Sequence, residues 1–432
     1  MLARVKKSAM TGEVWIPGSK SHMIRALYFG ALGRGKSIIR NPVRSKDSLS
    51  AAGIIRALGV PLDMSRDDYW TVEGGKLSLP EDVLDVGNSG TSMYMGSAML
   101  ASLNGRCVVT GDEQIRRRPA QPVLNALMLL GAEAFTLRGN GSAPFMVRGP
   151  LKGGKTFVDG IVSQYVSTTI LAATLAEKDS EIMVDRANEI PYIEMTLQWM
   201  RSLGVEVDVQ EDFNRYFVKS GQTYANFDKP VPADFSSGAF MLIGSAVTDS
   251  SVTLRGLDTQ DVQGDKILID VLKDMGADIE VLNHGLDGIR VNGGRKLQGR
   301  VIDCSPTPDS VPILSVLGCF AEGETRLINI ESSRLKETDR PLMMQKELAK
   351  MGGSLELTEK ELIIRHSRLQ GCAVNSYADH RIAMAMCIAG LIADGTTLVD
   401  RVESAAISYP GFDTSLASLG AEVEYLEDGV EA

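Results

Sequence analysis

Apolar positions in this chain follow two rhythms. Segments 22–32, 92–103, 165–176, 235–247, 311–321 and 382–393 are built of small and apolar residues nearly all round, and each predicts a helix buried on every side. Segments such as 193–203 are apolar on one face only and predict amphipathic helices. Alternating runs such as 205–209 predict strands with one covered face.

The segments recur in step. A Leu or Met followed by glycine and a strand-like run ends the amphipathic segments at Gly59, Gly131, Gly204, Gly276, Gly352 and Gly420, at intervals of 72, 73, 72, 76 and 68 residues. Glycine there is the expected helix C-cap. A polar turn before a β-branched run keeps the same beat at Gly35, Gly105, Lys178, Asp249, Gly323 and Gly395, at intervals of 70, 73, 71, 74 and 72. Two independent markers in step predict six copies of one α/β unit of about 72 residues. The all-apolar helices should form cores, wrapped by strands and amphipathic helices. They are too short, and the turns between them too polar, for membrane hairpins.

A chain of 432 residues is long for one core, so three units per domain is the economical division. Asp228-Lys229-Pro230-Val231-Pro232 breaks any regular element between the halves. The expected domains are 17–228, and 1–16 together with 229–432.

Composition narrows the function. Acidic residues exceed basic ones by 55 to 45, which argues against a general nucleic-acid binder and leaves room for a local basic cleft that takes a small anion. The five cysteines show no paired close spacing, and Cys319 and Cys387 sit in apolar helical runs as buried thiols. The first seven residues lack the apolar core of a signal peptide, and no run approaches the roughly 18 apolar residues of a membrane span, so a cytoplasmic chain without membrane partners is expected. The four histidines and the cysteines form no cluster at ligand spacing, so no metal site is expected.

Polar residues open all six buried helices. They include Ser19-Lys20-Ser21, Asn88-Ser89-Gly90-Thr91, Ser163-Gln164, Asp234 with Ser236 and Ser237, Asp309-Ser310, and Asp379-His380-Arg381. Capping alone explains most of these. Gly18-Ser19-Lys20-Ser21 and Gly87-Asn88-Ser89-Gly90-Thr91 go further, because glycine lets a ligand approach backbone N–H groups at a helix start, which is already an anion site. A buried Lys20 needs a counter-charge, and a ligand phosphate or carboxylate would supply it. Parallel helices aim their starts at one face, and two such domains facing each other would make a cleft lined by helix ends. Lys20, Arg25, Arg116, Arg117, Arg118, Lys336, Arg340 and Arg381 could enter it, each ion contact gaining roughly 4 kcal/mol before desolvation. Arg118, preceding Pro119, is expected to start a helix. In Arg334-Leu335-Lys336-Glu337-Thr338-Asp339-Arg340, a helical reading pairs Glu337 with Arg340 and Lys336 with Asp339. Converging cations predict one or two small polyanions as ligands. Gly18-Ser19-Lys20-Ser21 lacks the full Walker pattern, which counts against ATP chemistry.

Pro17-Gly18-Ser19-Lys20-Ser21 with Arg25, Gly87-Asn88-Ser89-Gly90-Thr91, Arg118-Pro119, Leu335-Lys336-Glu337-Thr338-Asp339-Arg340 and Asp379-His380-Arg381 together resemble the 5-enolpyruvylshikimate-3-phosphate synthase family of enolpyruvyl transferases. These motifs run from residue 17 to residue 381. The resemblance implies an α/β fold of two inside-out α/β barrel domains, closing by induced fit on phosphoenolpyruvate and shikimate 3-phosphate. It implies transfer of the enolpyruvyl group to the 5-hydroxyl through a tetrahedral intermediate with release of phosphate, a step toward chorismate and aromatic amino acids, with no cofactor or metal. By matching position, Lys20, Ser21, Arg25, Ser163, Gln164, Tyr192, Asp309 and Lys336 would hold shikimate 3-phosphate. Lys20, Asn88, Gly90, Thr91, Arg118, Gln164, Arg340, His380 and Arg381 would hold phosphoenolpyruvate. Asp309 would accept the hydroxyl proton, and Glu337 with Lys20 would protonate and later deprotonate the methylene carbon. A monomer is the expected working form.

The chain departs from the family's pattern at five places. Tyr94 stands where an arginine is usual, Val162 where a serine precedes Ser163, and Glu189 where a serine or arginine helps hold the shikimate phosphate. Ser332 replaces an asparagine and Ile407 a lysine. Three alternatives therefore stay open: a related transferase acting on another acceptor such as UDP-N-acetylglucosamine, an RNA 3'-phosphate cyclase built of related units, and a non-catalytic anion-binding relative. The region 112–118 lacks the cysteine usual in the first, and the acidic balance counts against the second.

Overall fold

The computed structural model describes residues 1–426. The chain divides into two compact units, Gly18–Val231, and Met1–Pro17 with Pro232–Ala432. Residues 427–432, included in the expected second domain, lie outside the described residues.

The Gly18–Val231 unit has three core helices, Lys20–Leu32, Gly90–Ala101 and Ser163–Thr174. All twelve residues of Gly90–Ala101 are buried, as its all-round apolar sequence requires. Around them stand three four-stranded sheets of one design. In one of these, Gly154–Asp159 runs parallel to Ser180–Asp185, which pairs antiparallel with Arg215–Val218 and so leads to Val207–Val209. The parallel pair exists because the Ser163–Thr174 helix is the crossover between its strands. Period-two alternation sets the faces: Thr156 and Val158 are buried, while Phe157 between them is exposed. Asp228–Pro230 runs beside Gly35–Arg40, so the end of this unit completes its first sheet.

The other unit repeats the plan with core helices Phe235–Val247, Val311–Phe320 and His380–Ile392, which pack against one another. Close approach is built into the sequence, since a Cβ at Gly244 would lie 3.0 Å from Ile388 Cδ1. Leu2–Lys6 pairs with Thr396–Asp400 and Val423–Leu426, whereas Thr11–Trp15 lies parallel to Ser251–Arg255. The first fifteen residues thus complete two different sheets of this unit.

Local expectations need three corrections. Arg118 does not start a helix: residues 113–117 form turns, and the helix is Gln121–Leu129, with Pro122 in its first turn. Residues 334–340 are not one helix either. A 3-10 turn covers Glu331–Leu335, residues 336–338 form a bend, and the helix Arg340–Lys350 begins after Asp339, whose carboxylate caps it through Leu342 N at 3.3 Å. Pro341 fixes that start, because proline fits only the first turn. Finally, side-chain capping accounts for few of the polar helix starts. Ser89 and Asp379 cap their helices, whereas Ser19, Asp234 and Ser310 make no capping hydrogen bond.

Candidate active site

In the Gly18–Val231 unit the predicted residues gather at the starts of its three core helices. Lys20 opens the first, and its ammonium lies 3.0 Å from the Asp47 carboxylate. Both side chains are largely buried, so the counter-charge expected from a ligand is already supplied within the protein. Asp47 sits in the first turn of the Lys46–Ala57 helix, where an acid also favours the helix dipole. Ser19, wholly buried before Lys20, has a hydroxyl without a hydrogen-bond partner among the described residues.

Arg25 lies one turn further along and is buried. Its guanidinium donates to Ser21 O at 3.0 Å, Tyr192 O at 3.0 Å and Thr196 Oγ1 at 2.9 Å. Burial without an adjacent carboxylate pulls its pKa down to about 10. Each of its nitrogens donates within the protein, so Arg25 braces Ser21 and the helix Ile190–Ser202 that carries Tyr192.

At the second helix start, the Arg118 guanidinium lies against Gly90, where a Cβ would collide with it. Glycine is required here for close approach. Asn88 donates to Asp112 Oδ2 at 2.6 Å and Gln114 Oε1 at 2.7 Å, fixing the turn that leads to Arg118. Gln164 donates to Thr91 Oγ1 at 2.6 Å and so links the second and third helix starts. Asn88 Oδ1 and Gln164 Oε1 are buried acceptors without a partner among the described residues.

Two departures at the third start explain each other. Val162 occupies the N-cap position and has no side-chain oxygen to offer. Glu189 does that work: its buried carboxylate accepts from Ser163 N at 3.0 Å and Ser163 Oγ at 2.5 Å. To do so Glu189 adopts a left-handed conformation, φ 52°, at the N-cap of Ile190–Ser202. Ser163 therefore has both donors on an internal carboxylate. Tyr94, in place of an arginine, donates to Pro119 O at 2.9 Å and stacks edge-on with Tyr165, holding the chain just beyond Arg118.

In the other unit Arg340 is the centre. Its guanidinium, 1% exposed, donates to Asp309 Oδ1 at 2.7 Å, to Asp379 Oδ2 at 2.9 Å and to Glu337 Oε2. Burial works to lower its pKa, but the Asp379, Glu337 and Asp309 carboxylates prevail and hold it above the ordinary arginine value. Arg381 is also buried and reaches Asp309 Oδ2 at 3.2 Å and Ser236 O at 3.3 Å, while its Nε has no partner among the described residues. Burial lowers its pKa and Asp309 raises it, the net shift being upward. Asp379 caps the last core helix through Arg381 N at 2.9 Å and accepts from Thr338 Oγ1 at 3.0 Å. Lys336 is half-buried in the bend before Arg340, and His380 is fully buried. Ile407 is buried in the 3-10 turn Val402–Ile407, and Ser332 is buried with a hydroxyl lacking a partner among the described residues.

The structure thus brings together two sets of predicted residues, one in each unit. Sequence reasoning missed Asp47, Thr196 and the role of Asp379, because their part follows from where side chains point. Asp379 carried the clearest signal, as the acid before His380-Arg381. Among the described residues no group of three or more His, Cys, Asp or Glu is arranged to hold a metal ion, and no helix is long and apolar enough to cross a membrane.

Comparison with known proteins finds relatives of the whole chain. A protein-family model described as EPSP synthase (3-phosphoshikimate 1-carboxyvinyltransferase) matches residues 5–416. The chain is 44% identical over 429 residues to the 3-phosphoshikimate 1-carboxyvinyltransferase of Acetivibrio thermocellus, covering 99% of this chain and 100% of that protein. It is 43% identical over 427 residues to that of Ruminiclostridium cellulolyticum, with the same coverage of both chains. Among solved structures, EPSP synthase from Acinetobacter baumannii superposes with a TM-score of 0.81 at 28% identity, over 99% of this chain and 100% of that one. The enolpyruvyl transferase NikO from Streptomyces tendae shares the fold, with a TM-score of 0.79 at 17% identity over 98% of both chains.

Proposed function

Because this chain belongs to the EPSP synthase family, we infer that it transfers the enolpyruvyl group of phosphoenolpyruvate to the 5-hydroxyl of shikimate 3-phosphate and releases phosphate. This is a transferase reaction of the shikimate pathway to aromatic amino acids. Near-complete coverage of relatives at 44% and 43% identity supports it over the alternative acceptors and over a silent binding protein.

We assign the residues as follows. Lys20, Ser21, Ser163, Gln164, Tyr192, Asp309 and Lys336 hold shikimate 3-phosphate, with Arg25 bracing Ser21 and Tyr192. Lys20, Asn88, Gly90, Thr91, Arg118, Gln164, Arg340, His380 and Arg381 hold phosphoenolpyruvate. Asp309 takes the proton from the attacking hydroxyl as the C–O bond forms at C2 of phosphoenolpyruvate. Glu337, with Lys20, delivers a proton to the methylene carbon, giving the tetrahedral intermediate. Removal of a proton from the resulting methyl group then expels phosphate and restores the double bond. The observation that carries this assignment is Arg340, which hydrogen-bonds both Asp309 and Glu337. One buried guanidinium thus holds the two proposed proton carriers together, and moving charge on either is felt by the other. The two compact units are proposed as the two domains, and the working form as a cytoplasmic monomer.

The deciding experiment measures phosphate release from phosphoenolpyruvate with shikimate 3-phosphate and with UDP-N-acetylglucosamine. Turnover with the first acceptor alone is expected. Turnover with the second alone, or with neither, overturns the reading.

A further inference from the structure

Glu347 is fully buried two turns into the helix Arg340–Lys350, the helix that Arg340 opens. Its carboxylate accepts from Asn375 N at 2.9 Å, Tyr377 Oη at 2.6 Å and Lys350 Nζ at 2.6 Å. The first two donors belong to residues 375–378, the turn that leads directly into Asp379, His380 and Arg381. Lys350 is half-exposed, so it does not by itself require a buried acid as partner. A buried carboxylate is costly unless its hydrogen bonds are met, and here two of the three go to this turn.

The turn itself is strained. Tyr377 and Ala378 are consecutive non-glycine residues at φ 55° and 56°. Such backbone is costly for a residue with a side chain and persists only where surrounding contacts over-determine it. Those contacts are Tyr377 N to Asn375 Oδ1 at 2.6 Å, Ala378 N to Ser376 Oγ at 3.2 Å, Ser376 N to Asp400 Oδ1 at 2.5 Å, and the two bonds to Glu347. One helix therefore grips this segment twice, through Arg340 on Asp379 and through Glu347 on Asn375 and Tyr377.

We propose that Glu347 is a positioning residue for the reaction, acting through Asn375 and Tyr377 to fix the strained turn that aims Asp379 and, through it, Arg340 and Arg381. The proposal rests on the assignment of both arginines to phosphoenolpyruvate. If the turn relaxes, Asp379 moves, and with it four bonds: two from Arg340, one from Thr338 and one from Arg381 N.

The test is steady-state kinetics of the full chain carrying Glu347→Gln, which keeps the volume but turns one acceptor oxygen into a donor. KM for phosphoenolpyruvate is expected to rise about tenfold, as misplacement of binding groups by a fraction of an ångström costs, with KM for shikimate 3-phosphate within twofold. Lys350→Met, which removes only the half-exposed partner, should leave every constant within twofold. A lowered thermal midpoint with an unchanged KM for phosphoenolpyruvate would mean a merely structural acid and overturn the proposal. If Glu347→Gln fails to fold, Tyr377→Phe deletes only the hydroxyl and must raise the same KM at least threefold; no change overturns the proposal. Equal rises in both KM values support the positioning role and overturn instead the assignment of the arginines. An unmodified chain that turns over neither acceptor refutes the functional reading, not this one, and the Glu347 role is then read from phosphoenolpyruvate binding by calorimetry.

Discussion

The ammonium of Lys20 and the carboxylate of Asp47 stand 3.0 Å apart, one at the start of a core helix and the other in the first turn of the next helix. Removing one partner of a buried pair leaves an uncompensated charge, which costs about 3–5 kcal/mol. Asp47→Asn is therefore expected to lower the thermal midpoint by several degrees in buffer without anions. Added phosphoenolpyruvate should recover more of that midpoint than it adds to the unmodified chain, because it supplies the missing negative charge. Differential scanning calorimetry with and without ligand checks both parts.

Gly90 leaves room for the Arg118 guanidinium. Gly90→Ala places a methyl group in that space and must push the guanidinium aside, with little effect on a helix that tolerates alanine well. Stability should hold, while kcat/KM for phosphoenolpyruvate falls about a hundredfold, a size typical of displaced binding groups. Kinetics beside a melting curve separates the two.

Val162 and Glu189 form one feature, since the carboxylate caps the helix start that valine cannot. Glu189 should therefore compete with an acceptor phosphate for the Ser163 donors. The double variant Val162→Ser, Glu189→Ser restores a hydroxyl cap and frees those donors, so KM for shikimate 3-phosphate is expected to fall several-fold at similar stability. Glu189→Ser alone should lose about 1 kcal/mol of stability, the usual cost of a lost cap. Initial-rate measurements with both variants decide it.

Acid should loosen the 375–378 turn. Burial tends to raise the Glu347 pKa, but the hydrogen bonds from Lys350, Tyr377 and Asn375 outweigh it and leave it below the usual glutamate value. A carboxyl whose pKa is depressed on folding contributes stability that is complete above its unfolded pKa and is lost as pH falls through the folded one. Thermal midpoints of the unmodified chain and of Glu347→Gln should therefore run parallel from pH 8 to about 5 and converge below about 4, near the unfolded glutamate value.

Much of the architecture was legible because it is written in local pattern. All-round apolar segments became buried helices such as Phe235–Val247, with the bounds the sequence suggested, and the two interleaved markers became six sheets of one design. Motif residues such as Lys20, Asp309 and Arg340 were recognisable because helix starts are set by neighbours a few residues away. What only the tertiary structure decided is which charges meet. Lys20 finds Asp47, Ser163 finds Glu189 26 residues on, and Glu347 finds Asn375 after 28. Each such pairing joins one element to the next across a whole intervening segment, and side-chain direction there depends on packing that no local periodicity records. The cations expected to await a ligand are for that reason already partnered in the folded chain, and the chemistry proposed for Asp309 and Glu337 depends on the guanidinium they share.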